Sequence, residues 1–285
     1  MILLDQAGAG ASRSALLAPS RDLHPVIEHY WIQQPLVGVI GQAWRVVPDT
    51  NPNLIFVASS KRLNGSGPKC VVVGARSHFA DVSMENRVFT CGVRFYPGVL
   101  PLLTRFPASD FTDLSVPIAD VFGARGTMLM DRLGGLTDAS HALEVIEGFL
   151  RCHLAGPDHE RLPFHARTNR VRRLAAQLDM PVRTLQSRFM QYVGLSPKRA
   201  LRVDRLHRVL GNCKRRSVNW AQAAATGGFA DQAHMIREFR DLLGESPTAW
   251  LNRGLPICSI QALASQASLS ASGKRRSSDC GWQGR

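Results

Sequence analysis

Two stretches of the chain put guanidinium and amide groups on the polar side of an amphipathic helix. In PVRTLQSRFMQYVG, Arg183, Gln186 and Ser187 lie off the apolar stripe; in GGFADQAHMIREFRDLLGESPTAW (Gly227 to Trp250), Gln232, Arg237 and Arg240 do. Arginine can bind guanine O6 and N7 in bidentate fashion, and glutamine can do the same at adenine N6 and N7. The chemistry on offer is therefore recognition of duplex nucleic acid through a groove.

The elements that must hold these groups are legible around them. In the second stretch a glycine pair ends one helix and Asp231 offers an N-cap. The helix that follows buries Met235, Phe239 and Leu242, stops at Gly244, and hands over to a helix opened by Ser246-Pro247. Helix, short glycine-containing turn, helix is the plan of a helix-turn-helix. The first stretch repeats it. A shift of 50 residues lays RFMQYVGLSPKRAL on EFRDLLGESPTAWL without a gap, matching Phe189 to Phe239, Gly194 to Gly244, Ser196-Pro197 to Ser246-Pro247 and Leu201 to Leu251. Carried upstream, the same register sets Ala175 on Ala225 and Leu185 on Met235, so two copies stand in tandem. Leu174, Leu178, Leu185, Phe189 and Val193 should form the first core, with Pro181 in the first turn of the reading helix. Ser196 to Gly211 reads as one long helix between the copies, with Leu201, Leu206 and Leu210 inward and Arg202, Arg205 and Arg208 outward. CKRR (Cys213 to Arg216) adds a basic loop, and Val218 to Thr226 is the scaffold helix of the second copy.

The pair resembles the DNA-binding domain of the AraC/XylS family of bacterial transcription regulators. The second copy carries the family pattern as Gly228-Phe229, Asp231-Gln232-Ala233-His234, Arg237-Glu238-Phe239-Arg240 and Gly244-Glu245-Ser246-Pro247, and the likeness spans Arg167 to Leu251. Ala233 and Leu251 depart from it, where members often have serine and arginine. The resemblance implies base-facing positions at Gln232, Ala233, Ile236 and Arg237. It also implies a connecting helix that sets two reading helices in successive major grooves, about 34 Å apart. Arg188, Lys198, Arg240 and His234 are the candidates for phosphate, which sets register and affinity while base contacts set sequence. The expected partner is double-stranded promoter DNA in a bacterial cytoplasm. A small-molecule effector, a homodimer and RNA polymerase are further partners the family implies, and no cofactor is expected.

Charge supports the same division. Residues 1–164 hold 14 Lys/Arg against 15 Asp/Glu, residues 165–254 hold 17 against 6, and residues 255–285 hold 4 against 1. A basic segment gathers on polyphosphate by releasing its counterions. The six cysteines are scattered with no C-x-x-C, which suits reduced thiols better than a disulfide framework or zinc site. No apolar run has the length of a membrane span, and the first residues do not read as a signal peptide.

The fold class expected is α+β: a small N-terminal β-barrel-like domain with trailing helices, then an all-α domain of two helix-turn-helix motifs joined by a long helix. Strands are expected at Val26 to Gln33, Trp44 to Pro48, Leu54 to Ala58, Cys70 to Ala75 and Arg87 to Phe95, separated by turn-rich stretches such as DTNPN. A short helix pinned by Pro97 and Pro101, a docking segment as far as Gly123, and helices at Met128 to Leu133 and Ala142 to Leu154 follow. HPVIEHYW, RVVPDTNPNLIF and GVRFYPG resemble the N-terminal domain joined to this motif in many AraC-like regulators, which implies effector binding or dimerisation; Thr50 and Asn51 depart from its usual turn. The boundaries expected are a flexible start at 1–20, the N-terminal domain at 21–155, a linker at 156–166 that lets the halves reorient, the DNA-binding domain at 167–254 and a disordered basic tail at 255–285. The chain is not read as an enzyme. His78 stands with one distant acid, His24, Glu28 and His29 match no metal spacing, and no nucleophile elbow, P-loop or dinucleotide fingerprint occurs. The rival reading is a ligand-binding or enzymatic β-barrel fused to an AraC-like DNA-binding domain.

Overall fold

The computed structural model describes residues 12–35, 43–59, 67–83, 87–154, 168, 170–212 and 218–253. The expected linker and tail and the CKRR loop lie outside these residues. Six strands form one antiparallel sheet in the order β1 (Ser12–Leu17), β2 (Ile27–Pro35), β7 (Arg87–Phe95), β4 (Asn53–Ser59), β5 (Lys69–Val73) and β8 (Ser115–Pro117). β3 (Ala43–Val46) and β6 (Ala80–Ser83) pair only with each other, as a separate two-stranded ribbon. The expected α+β class holds, with an antiparallel-sheet domain ahead of a helical one, and the ribbon stands outside the sheet's own ladder. Within the start expected to be flexible, Ser12–Leu17 is an edge strand paired along β2. β6 and β8 are short, and β1 (SRSALL) has no β-branched or aromatic residue, so local composition did not mark them. β8 ends in Pro117, tolerable because an edge strand need not donate on both sides.

Period-two alternation decides the two sheet faces. Leu54, Phe56, Ala58, Phe89, Cys91, Val93 and Phe95 are buried on one side, beneath α1 (Leu100–Thr104), α2 (Ile118–Phe122), α3 (Ala124–Leu133) and α4 (Ala139–Leu154). α4 is tied to β2 where the Tyr30 hydroxyl donates to Glu147 Oε2, 2.7 Å. On the other side Trp31, Ile55, Val57, Val71 and Thr90 face a cavity of about 230 Å³, with Val46 and Val82 of the ribbon also in its walls.

A buried ion cluster pins the turn between β3 and β4. Arg94 has no solvent exposure; its Nε donates to Glu28 at 2.7 Å and its two amino groups to the Asp49 carboxylate. Asn51, the departure from the usual turn, donates to Glu28 (2.9 Å) and to the Phe95 carbonyl (2.8 Å). Burial by itself would depress the Arg94 pKa, but Asp49 and Glu28 beside it hold it above the ordinary arginine range.

Neighbouring His29 is buried, its Nε2 has no partner among the described residues, and burial, helped by Arg94, pushes its pKa from 6.5 down to about 3. A histidine held neutral in the fold stabilises fully above its unfolded value, and that stability is lost as the unfolded chain takes up the proton. Stability should therefore begin to fall as pH drops below 6.5 and keep falling towards 3, at up to about 1.4 kcal/mol per pH unit from this group. Denaturant midpoints at pH 7.5, 6 and 5 check this, and His29→Phe should flatten the slope.

Candidate nucleic-acid interface

The C-terminal half is helical: α5 (Val171–Gln177), α6 (Val182–Tyr192), α7 (Pro197–Asn212), α8 (Trp220–Gly227), α9 (Gln232–Leu243) and α10 (Pro247–Arg253). α5 with α6, and α8 with α9, are the two helix-turn-helix units. Each has its own core, and α7 belongs to both: Ala200, Leu201 and Val203 join Leu174, Leu185 and Phe189, while Leu206, Val209 and Leu210 join Met235, Phe239 and Leu242.

The 50-residue repeat holds from the reading helices onward and fails upstream. α6 and α9 start 50 apart, and Leu185 and Met235 are both fully buried. In the scaffold helices, however, Met180 N–H donates to the Ala175 carbonyl as Phe229 N–H does to Ala224, a spacing of 49. Ala224 is buried and Ala225 exposed, so Ala175 corresponds to Ala224. The second turn has one residue more. The first bends at Asp179 (φ 48) and reaches its N-cap two residues later at Pro181; the second bends at Gly228 (φ 80) and reaches Asp231 three later. Pro181 is thus the N-cap and not a residue of the first turn, and it offers no side-chain acceptor. Asp231 does, accepting from His234 N–H at 2.6 Å.

Arg183, Gln186, Ser187 and Arg188 are exposed along α6, opposite Leu185 and Phe189. On α9, Gln232, Ala233, Arg237 and Arg240 are exposed; Ile236 is half-buried and packs on the second core. Lys198 is exposed at the start of α7. His234 packs edge-on against Phe229 (5.6 Å between centroids) and lies 3.6 Å from Glu238. Leu251, the other departure from the pattern, is half-buried against the same core.

The outward arginines of α7 are a correction. Arg202 binds Glu238 (2.9 Å) and Asp241, Arg205 binds Glu238 (3.1 Å) and lies over the Phe229 ring, and Arg208 binds Asp204. Glu238 and Asp241 both stand on α9, so Arg202 and Arg205 lock the second reading helix to the connecting helix, while Arg208 pairs within α7. Helical spacing correctly took all three off the apolar stripe, but could not see that acids from another helix would meet Arg202 and Arg205. Arg183, Arg237, Arg240 and Lys198 make no ion pair with another described residue.

The N-terminal half docks directly on both units, which counters the free reorientation expected from a linker. The Thr112 hydroxyl donates to the Gly194 carbonyl at 2.6 Å, beside the 3-10 turn Ala108–Phe111. Arg199 donates to the Ser77 carbonyl (2.7 Å), and Ala75 joins the first core. At the second unit Phe79 N–H donates to the Leu242 carbonyl (3.2 Å), and its ring sits against Gly244. Arg45 donates to the Leu243 carbonyl (3.1 Å) and to Glu245 (3.2 Å), while Val47 joins the second core. His207 of α7 reaches the Pro48 carbonyl at 2.6 Å; a carbonyl only accepts, so Nε2 carries the proton. Gly194 and Gly244 are the matching residues of the repeat, each left-handed (φ 85 and 75) at the end of its reading helix. Both rest on the N-terminal half. The glycines were visible as turn signals, but Arg45, Phe79, Thr112 and His207 carried no local mark of a docking role.

Residues 174–253 match the family described as "Helix-turn-helix domain", of the AraC type, and residues 16–117 match "Domain of unknown function (DUF6597)". No curated protein sequence matches the chain. Among solved structures, one of ToxT from Vibrio cholerae aligns at 10% identity over 85% of this chain and 98% of its own, with a TM-score of 0.40. A second, of ToxT from Vibrio cholerae O395, aligns at 10% identity over 75% and 92%, with a TM-score of 0.38.

Proposed function

We propose that the chain, which carries an AraC-type helix-turn-helix domain behind a DUF6597 domain, is a DNA-binding transcription regulator whose α6 and α9 read two successive major grooves under control of the N-terminal half. The observation that carries this is a division among the cations. Arg199, Arg202, Arg205 and Arg208 of the connecting helix are all engaged by acids or carbonyls, whereas Arg183 and Arg237 on the reading helices are exposed without an ion pair to any described residue. A guanidinium left in water is available to guanine at little desolvation cost. Arg183, Gln186 and Ser187 read one half-site, and Gln232, Ala233, Ile236 and Arg237 the other, with Ile236 offering only an apolar edge. Arg188, Lys198, Arg240 and His234 set the register on phosphate. Modulation by the N-terminal half is supported by its contacts at both matching glycines: a shift in that half is felt at the end of each reading helix.

Selection of random duplex DNA by the full chain tests the reading. The wild type should enrich a bipartite site, and Arg183→Ala and Arg237→Ala should each blur a different half, at about 1–3 kcal/mol per lost contact. Uniform weakening on all sequences by both variants would reduce these arginines to phosphate contacts and defeat the two-groove reading.

A further inference from the structure

We propose that the cavity between the sheet and the β3–β6 ribbon binds a compact, neutral, largely apolar molecule whose one polar group both accepts and donates a hydrogen bond, as an amide or lactam does. This rests on the reading that the N-terminal half controls DNA binding, and it names what that half would sense. The cavity measures about 230 Å³, and six valines with Ile55 and Trp31 make up the apolar part of its wall. A dry apolar cavity of about 150 Å³ takes benzene, so this one suits a molecule of roughly ten heavy atoms.

Two wall residues lack partners that such a molecule would supply. Among the described residues, the Nε1–H of Trp31 (5% exposed) has no acceptor and the Oδ1 of Asn53 (7% exposed) has no donor. Asn53 Nδ2 already donates to the Asn51 carbonyl (3.1 Å), so its oxygen is the atom left over. A buried donor and a buried acceptor are costly to leave unmade, and a single polar group of both kinds satisfies them together. Their placement is compatible. Gly92 lies opposite Trp31 on one side and Ile55 on the other, and Asn53 is the next residue of β4 on the same face as Ile55. A Cβ at Gly92 would fall 2.8 Å from Trp31 Nε1, so the glycine lets the indole lie across the sheet between these strands.

Of the two charged wall residues, Asp49 is taken up by Arg94, while Arg76 donates to the Ser115 hydroxyl at 3.1 Å and is the group that an anionic ligand would have to engage. Occupancy would also reach the DNA-binding half. Val46 and Val82 of the ribbon line the cavity, while Arg45, next along β3 and held by Asp81, grips Leu243 and Glu245. A ligand that lifts or settles the ribbon thus acts at the end of α9.

Calorimetric titration of the full chain with cyclohexylacetamide and its isostere cyclohexylacetate tests this without DNA. The amide should bind about tenfold tighter than the carboxylate, and Trp31→Phe should weaken it about tenfold, the scale of one hydrogen bond. Val57→Phe, which fills the cavity, should remove binding while circular dichroism stays unchanged. Tighter binding of the carboxylate would transfer the polar role to Arg76 and overturn the proposal, as would no binding of either probe below about 10 mM. A chain that selects bipartite DNA but binds neither probe overturns this inference alone. A chain that binds the amide but selects no sequence overturns the DNA reading alone.

Discussion

Replacing Arg94 by methionine is expected to cost about 3–5 kcal/mol of folding stability, because it removes the cation from a buried pair and leaves the acids behind. Methionine nearly matches the length of the side chain, so the loss is electrostatic more than volumetric. Glu28 and Asp49 would be left facing an apolar group. The pH dependence gives a second signature. In the native chain burial works to raise the Asp49 pKa, but Arg94's charge and hydrogen bonds, with His207 adding to them, hold it below its ordinary 3.8. A depressed carboxyl contributes stability that is present above 3.8 and is lost as pH falls through the lower folded value. Without Arg94 the burial is opposed only by His207 and the Asn51 N–H, and the sign is expected to reverse. Asp49 rises above its ordinary value, and its contribution is then lost as pH increases. Denaturant midpoints at pH 7 and 4 should therefore show the variant's deficit shrinking in acid. A deficit below about 1 kcal/mol at pH 7 would mean that the ion cluster does not hold the β3–β4 turn.

The second large effect is expected at Gly194. Its left-handed φ of 85 costs an L-residue about 1–2 kcal/mol. A Cβ there would lie 2.7 Å from the Ala108 carbonyl oxygen and 2.8 Å from Thr112 Oγ1. Overpacking of that kind adds about 1–3 kcal/mol, so Gly194→Ala should lose roughly 2–5 kcal/mol in urea unfolding. No single side-chain truncation should restore it, because one obstacle is backbone. Gly244→Ala makes the contrast. The backbone strain is alike (φ 75), but the obstacle is the Phe79 ring at 2.7 Å. Phe79→Ala in that background should recover the packing share, about 1 kcal/mol or more, and leave the strain. Equal rescue of both glycine variants by Phe79→Ala would mean the two units do not dock on the N-terminal half as separate contacts. In DNA selection, Gly194→Ala should disturb the half-site assigned to α6 before the one assigned to α9.

The sequence by itself determined the two helix-turn-helix units, because their signals are local. Apolar residues at helical spacing mark Leu185, Phe189, Met235, Phe239 and Leu242, all buried. Left-handed turns need Gly194, Gly228 and Gly244, and Asp231 caps the helix it precedes. The central strands β4 and β7 were equally legible from their β-branched and aromatic runs, as were α3 and α4 from their leucine spacing. The polar faces of α6 and α9 could be listed from periodicity, since a residue off the buried stripe faces outward wherever the helix packs.

What only the tertiary structure decided has one physical reason in common: the partner is far away along the chain. Arg202, Arg205 and Arg237 look alike in sequence, each an arginine off an apolar stripe. Two are spent on Glu238 and the third is exposed, a difference set by the crossing of α7 and α9. The one-residue slip between the scaffold helices is hidden because Ala224 and Ala225 are the same residue type, and only burial tells them apart. Short strands such as β6 exist through pairing with β3 and have too few residues to show a period. Arg45, Phe79, Thr112 and His207 sit in stretches that read as ordinary strand, turn or helix. Their roles come from lying against backbone groups 82 to 198 residues away, a proximity that no local pattern encodes.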